Sequence, residues 1–247
     1  MKNVLILDVA NNSILPFIHY YKKIGYTTYV ADEERFSIGF FSNSSDFKIK
    51  LPFIPELVTT NEKITFFLEY IKNICKSYGI KLLLAFNENT LKRIIKNHRR
   101  LGILNIFPSF RSYLILHNKK FFYKKIEEFS PESFKIPKIL NTKNLKFPCI
   151  IKPNIGSGGF LTYICKNITE LKMRKETIEI NGRIPIIQEY IPFEDKIAIN
   201  LLIDKNYKIK RAIVRKVASV KKIMKVLEEL ESFFKEIRYF GFASPQF

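Results

Sequence analysis

The first hundred residues alternate two kinds of apolar pattern, and that alternation constrains the fold more than any other feature of the chain. Asn3–Val9 (NVLILDV) is a continuous apolar run of strand length, Ser13–Ile24 has a helical period with Ser13 placed as N-cap, and Thr27–Ala31 is strand-like again. Glu62–Tyr78 sets Ile64, Phe67, Leu68, Ile71, Ile74, Cys75 and Tyr78 on one helical face, and Ile80–Phe86 (IKLLLAF) is a further buried run. Strands that are apolar throughout and separated by helices predict an open parallel α/β sheet. The turn after the first strand reads Asp8-Val9-Ala10-Asn11-Asn12, without the glycines of a GxGxxG fingerprint, which argues against a dinucleotide-binding Rossmann site.

From about Pro108 the pattern becomes α+β. Asn118–Phe129 is a basic amphipathic helix ended by Ser130-Pro131, and Ile136–Leu140 is a short strand. Phe147–Lys152, Phe160–Cys165 and Ile184–Ile191 follow as strands, with a helix over Thr169–Ile180 between the last two. Lys196–Asp204 and Tyr207–Val217 flank Asp204-Lys205-Asn206 as an antiparallel hairpin. Ser219–Phe240 is a long helix with Gly241 as its cap, and Phe242–Phe247 is extended.

The chemistry concentrates in Phe147–Phe160, FPCIIKPNIGSGGF. A buried strand delivers Lys152 into a turn that holds three of the nine glycines of the chain. Backbone N–H groups can approach an anion closely where no side chain intervenes, and a neighbouring lysine adds a compact positive charge. A hairpin whose glycines merely permit positive φ is the competing reading. The net charge of +19 favours anionic partners, although lysine enrichment alongside Ile, Asn and Phe is also what an AT-rich genome produces. The basic residues form no nucleic-acid reading module, so a nucleic-acid binder is the weakest of the functional readings. Cys75, Cys149 and Cys165 are widely spaced and read as buried thiols, His19, His98 and His117 are scattered, and no apolar run approaches bilayer length, all of which points to a cytoplasmic protein.

In order along the chain, Asn118-Lys119-Lys120-Phe121-Phe122, Phe147–Pro153, the loop Asn154–Gly159, Ile187–Ile191 with Glu194, and Arg211–Lys216 resemble the ATP-grasp superfamily, in particular the carbamoyl-phosphate synthase large-subunit type. The resemblance implies a pre-ATP-grasp domain over residues 1–108 and a two-lobed ATP-grasp domain over 109–247. Its small lobe would span about 130–190, and its large lobe would be incomplete after 247. It also implies roles. Lys119 and Lys152 would hold phosphate, Ser157, Gly158 and Gly159 would form a flap, and Gln188, Glu189, Tyr190 and Ile191 would line the adenine. Glu194 would take the ribose hydroxyls, and Arg215, with Lys216 or Arg211, would face the transferred phosphoryl group from the second strand of the hairpin; Arg211 and Arg215 share one face, Lys208, Lys210 and Lys216 lying on the other.

The family's cofactors are ATP and Mg²⁺, and its chemistry joins a carboxylate or bicarbonate to an amine through an acyl phosphate. Gln246 would be the candidate for the first metal ligand; the acidic strand and E-x-N motif expected to follow it are not present after it. The expectation is therefore an ATP-dependent carbon–nitrogen ligase that is incomplete, or completed by a second polypeptide or a homo-oligomeric contact. The alternative is a noncatalytic nucleotide-binding or assembly module.

Overall fold

The computed structural model describes residues 2–53, 61–103, 106–133, 136–141, 143–156, 159–192, 198–215 and 220–243. The chain divides into two units, Met1–Phe107 and Pro108–Phe247.

The first unit is built on a four-stranded sheet. Strands β1 (Lys2–Leu7), β2 (Tyr26–Asp32), β3 (Phe47–Lys50) and β4 (Leu82–Leu84) pair in the order β3-β2-β1-β4, with every pairing parallel. Helix α1 (Leu15–Lys23) lies between β1 and β2, α2 (Asn61–Ser77) lies between β3 and β4, and α3 (Glu88–Asn97) follows β4. Val4, Ile6, Val30 and Ile18 are fully buried, as continuous apolar strands require when both faces of a sheet are covered. Two local readings are corrected. Ser13 does not cap α1: Asn11 caps a 3-10 turn over Asn12–Ile14 by accepting from the Ser13 amide, and α1 begins only at Leu15. The turn after β1 is closed by the chain itself, since Gly39 donates to the Val9 carbonyl at 2.9 Å and a Cβ at Gly39 would stand 2.5 Å from Val9 Cβ. Asp8, at φ 62°, turns its carboxylate to the amides of Phe86 and Asn87 and to the Thr90 hydroxyl, tying β1 to the start of α3. Burial raises the Asp8 pKa against the opposing pull of these donors.

The second unit holds two antiparallel sheets. Helices α4 (Phe110–His117) and α5 (Lys119–Phe129) come first; α5 is the helix expected over Asn118–Phe129, with Asn118 as its N-cap, and α4 was not anticipated. Strands β5 (Ile139–Leu140), β6 (Cys149–Pro153), β7 (Tyr163–Cys165) and β8 (Pro185–Glu189) make one sheet in the order β5-β8-β6-β7, with α6 (Ile168–Ile180) between β7 and β8 in sequence. Strands β9 (Ala198–Ile203), β10 (Ile209–Arg215) and β11 (Gly241–Ala243) make the other, in the order β10-β9-β11, and α7 (Val220–Glu236) packs on it. The α/β first unit and α+β second unit match the architecture expected from the sequence. The end of α7 differs: Arg238, not Gly241, takes the left-handed position at φ 52°, and Tyr239 N–H reaches back to the Phe234 carbonyl, so Gly241 is free to open β11.

Helix α5 serves both sheets because it carries two stripes. Ile126, with Phe122 and Phe129, joins the core formed by Ile199, Leu201, Leu230 and Phe233, which anchors the helix on β9 and α7. Lys119 and Tyr123, four residues apart, lie toward β6 and β8.

Candidate functional site

Strand β6 presents two faces. Cys149 and Ile151 are buried with Cys165, Leu171 and Ile178 beneath α6, so Ile150 and Lys152 fall on the opposite face. The register places Gln188 opposite Ile150 and Ile186 opposite Lys152, which gives that face two fully or nearly buried residues and one lysine. The burial cost of the Gln188 side chain is offset by hydrogen bonds on both ends of its amide. Its Nε2 donates to the Pro137 carbonyl at 3.4 Å and its Oε1 accepts from the Tyr123 hydroxyl at 3.4 Å. The Lys152 ammonium in turn donates to the Tyr123 oxygen at 3.2 Å and stands 5.5 Å from the centre of that ring.

The loop that follows is tied down at its stem. Asn154 N–H donates to the Ile184 carbonyl at 2.8 Å, and the Asn154 carbonyl accepts from Lys119 N–H at 3.0 Å. The Asn154 side chain accepts from Lys120 N–H at 2.9 Å, Arg183 Nη1 donates to the Ile155 carbonyl at 3.2 Å, and Lys119 Nζ donates to the Gly156 carbonyl at 2.7 Å. Gly156 sits at φ 148° and Gly159 at φ 75°, conformations that a side chain disfavours. Ser157 and Gly158 lie outside the described residues.

A helix N-terminus often binds anions through its exposed amides, but α5 does not offer them. Asn118 N–H is bonded to the Leu114 carbonyl, Lys119 and Lys120 N–H to Asn154, and Phe121 N–H to the Asn118 side chain. The positive groups available here are therefore the lysine side chains rather than the backbone. Lys119 and Lys152 are both half-buried, in contrast to the exposed Lys120 and Lys124 on the same helix, and both reach elements flanking one loop stem.

The remaining expected residues are placed as follows. Glu189 N–H donates to the Lys138 carbonyl at 3.0 Å and its carboxylate accepts from Lys138 N–H at 2.9 Å, so any base contact from its backbone has to come from the carbonyl. Tyr190 is half-buried and Ile191 is 41% exposed. Val214 packs toward the α7 core, which puts Arg211 on the other face of β10, exposed, with Nη1 on the Lys210 carbonyl at 2.9 Å. For Arg215 only the backbone is described, and Glu194 and Gln246 lie outside the described residues. Among the described residues no group of three His, Cys, Asp or Glu side chains is placed to hold a metal, and no helix is long and apolar enough to cross a membrane. A surface hollow of about 640 Å³ bordered by Tyr207, Ser232, Lys235, Glu236 and Arg238 shares no residue with this lysine cluster.

Sequence reasoning missed Tyr123, Asn154 and Arg183. Tyr123 lies four residues from Lys119 on one stripe of α5, a signal available in the sequence; the contacts of Asn154 and Arg183 are tertiary.

Residues 108–217 match the family model of the RimK-like ATP-grasp domain. Over those residues the chain is similar to an ATP-grasp domain. Solved structures agree on the fold. The biotin carboxylase domain of Hydrogenobacter thermophilus 2-oxoglutarate carboxylase, a dimer in complex with MgADP, ADP and bicarbonate, superposes with a TM-score of 0.76 at 18% identity, over 100% of this chain and 60% of that one. The L-amino acid ligase of Bacillus licheniformis gives 0.72 at 15% identity, over 100% of this chain and 63% of its own. The N5-carboxyaminoimidazole ribonucleotide synthetase of Thermotoga maritima gives 0.66 at 17%, over 100% and 64%. The chain thus spans 60% to 64% of the length of these three structures. No curated protein matches it by sequence. The family match supports ATP-grasp at large; it does not single out the carbamoyl-phosphate synthase type.

Proposed function

We propose that the ATP-grasp domain binds ATP through Lys119 and Lys152 and serves an ATP-dependent carboxylate–amine ligase. The observation that carries this reading is that two half-buried lysines link the same pair of elements: Lys119 of α5 reaches the Gly156 carbonyl in the loop after β6, and Lys152 of β6 reaches Tyr123 of α5. In this reading Lys152 meets the α and β phosphates and Lys119 meets phosphate from the helix. Ser157, Gly158 and Gly159 close over them, which excludes water and strengthens each charge contact. The Glu189 carbonyl and the Ile191 N–H take the adenine edge beside Tyr190, and Glu194 accepts the ribose hydroxyl protons. Gln188 acts from behind, through Tyr123.

The carboxylate oxygen of the acceptor attacks the γ phosphorus as ADP leaves, and the amine nitrogen then attacks the acyl carbon as phosphate leaves. Neither step needs a nucleophilic side chain, so positioning and charge stabilisation are what the protein supplies, with Arg211 and Arg215 facing the transferred group. The acceptor class is a small carboxylate or bicarbonate, the latter being what the Hydrogenobacter structure contains. Mg²⁺ would offset charge on the phosphates. The described residues supply no three-ligand cluster for it, Gln246 is the ligand candidate from sequence, and no step here is routed through the metal.

The test is ATP binding by calorimetry, followed by ADP formation with panels of carboxylates and amines. Saturable ATP binding, with ADP release that requires both an acid and an amine, is expected. Absence of ATP binding would overturn the reading, and binding with no ADP formation under any pairing would reduce it to a nucleotide-binding module.

A further inference from the structure

We infer that Tyr123 is a positioning residue that holds the Lys152 ammonium in place for the phosphates, backed by the buried Gln188. The inference rests on the reading of Lys152 as a phosphate ligand. It is carried by a chain of hydrogen bonds whose direction is fixed at its far end. The Pro137 carbonyl can only accept, so the Gln188 group facing it is the amide nitrogen, at 3.4 Å. The Gln188 oxygen is thereby turned to Tyr123 and takes the hydroxyl proton at 3.4 Å. The Tyr123 oxygen then presents lone pairs to Lys152, whose ammonium donates to it at 3.2 Å. Every donor in the line points the same way, an arrangement in which each bond polarises the next. A tyrosine whose hydroxyl proton was not drawn off by Gln188 would present that proton to the lysine part of the time and hold it less firmly.

The stem of a lysine has four rotatable bonds, and fixing it on binding costs rotamer entropy when nothing restrains it beforehand. Tyr123 restrains it through the hydroxyl, which takes one of the three ammonium donors, the ring centre lying 5.5 Å from the charge. Two donors remain for a ligand. Because Tyr123 shares a stripe of α5 with Lys119, the same helix that carries one lysine sets the position of the other.

The experiment is a double-mutant cycle on the full chain, with ATP and adenosine as probes and calorimetry or competition as the readout. Tyr123→Phe keeps the ring and removes only the hydroxyl; it is expected to weaken ATP about fivefold, the fold-change of one net hydrogen bond. Adenosine, which lacks phosphate, should bind unchanged, and Tyr123→Phe should cost nothing further in a Lys152→Met background. Gln188→Met, one step further back, is expected to show the same selectivity for ATP over adenosine with a smaller loss. Equal losses for ATP and adenosine, a loss undiminished in Lys152→Met, or no loss in either variant would overturn the assignment. If Lys152→Met itself leaves ATP affinity unchanged, the functional reading falls as well; if it weakens ATP while Tyr123→Phe does not, only the inference falls.

Discussion

Two basic regions of the second unit differ in what their lysines meet. At the junction of β6 and α5, Lys152 donates to a hydroxyl, and among the described residues no carboxylate pairs with it. On the β9–β10 hairpin, Lys208 is paired with Glu231 at 2.7 Å and Lys210 with Asp204 at 3.2 Å, the lysines exposed and the carboxylates half-buried. A cation on a neutral oxygen keeps its charge, so an arriving phosphate gains the full attraction. A cation already on a carboxylate must first be separated from it, and in water the exchange gains little. Net charge is thus a poor guide to where an anion binds; the identity of the acceptor beside each lysine is a better one.

The sharpest attempt to break this contrast removes both lysines of the junction. Lys119→Met with Lys152→Met should weaken ATP by about 100-fold or more, the loss of two charge-assisted contacts, as measured by calorimetry. Asn154→Ala should have an intermediate effect, because its side chain caps Lys120 N–H and registers the loop stem on α5. A loss of about 1 kcal/mol of stability in denaturant titration is expected, with a smaller loss of ATP affinity than the double variant shows.

The hairpin should give the smallest effects. Glu231→Gln is expected to leave ATP affinity unchanged and to lower Tm by no more than about 3 °C, the scale of an exposed ion pair. The sign of its pH dependence follows from the Lys208 ammonium and the Ile209 N–H, which hold the Glu231 carboxyl below its usual range against a weaker opposing effect of burial. A carboxyl lowered in the folded state stabilises above its unfolded pKa and loses that contribution as pH falls through the folded value. The gap in stability between wild type and Glu231→Gln should therefore close on acidification from about pH 5 to pH 2.

The same contrast marks what the sequence could reveal. The strands of the first unit were legible because both faces are covered, so apolar character runs unbroken through Val4–Leu7. Lys152 was legible because a lysine among Cys149, Ile150 and Ile151 has to be accounted for. Helix ends were less legible: Asn11 outcompeted Ser13 as a cap, and Arg238 accepted a left-handed conformation expected of Gly241. The contact of Lys152 with Tyr123, and the one behind it between Tyr123 and Gln188, were not legible. Tyr123 lies 29 residues away and Gln188 lies 65 residues beyond Tyr123, so only the pairing of β8 with β6 and the seating of α5 bring them together.

The most direct test sets the two regions against each other in one titration. ATP affinity is measured for Lys152→Met and for Lys208→Met, with circular dichroism confirming that both are folded. Lys152→Met should weaken ATP about tenfold or more while Lys208→Met stays within about twofold of wild type. Equal losses in the two variants, or a loss confined to Lys208→Met, would contradict the account.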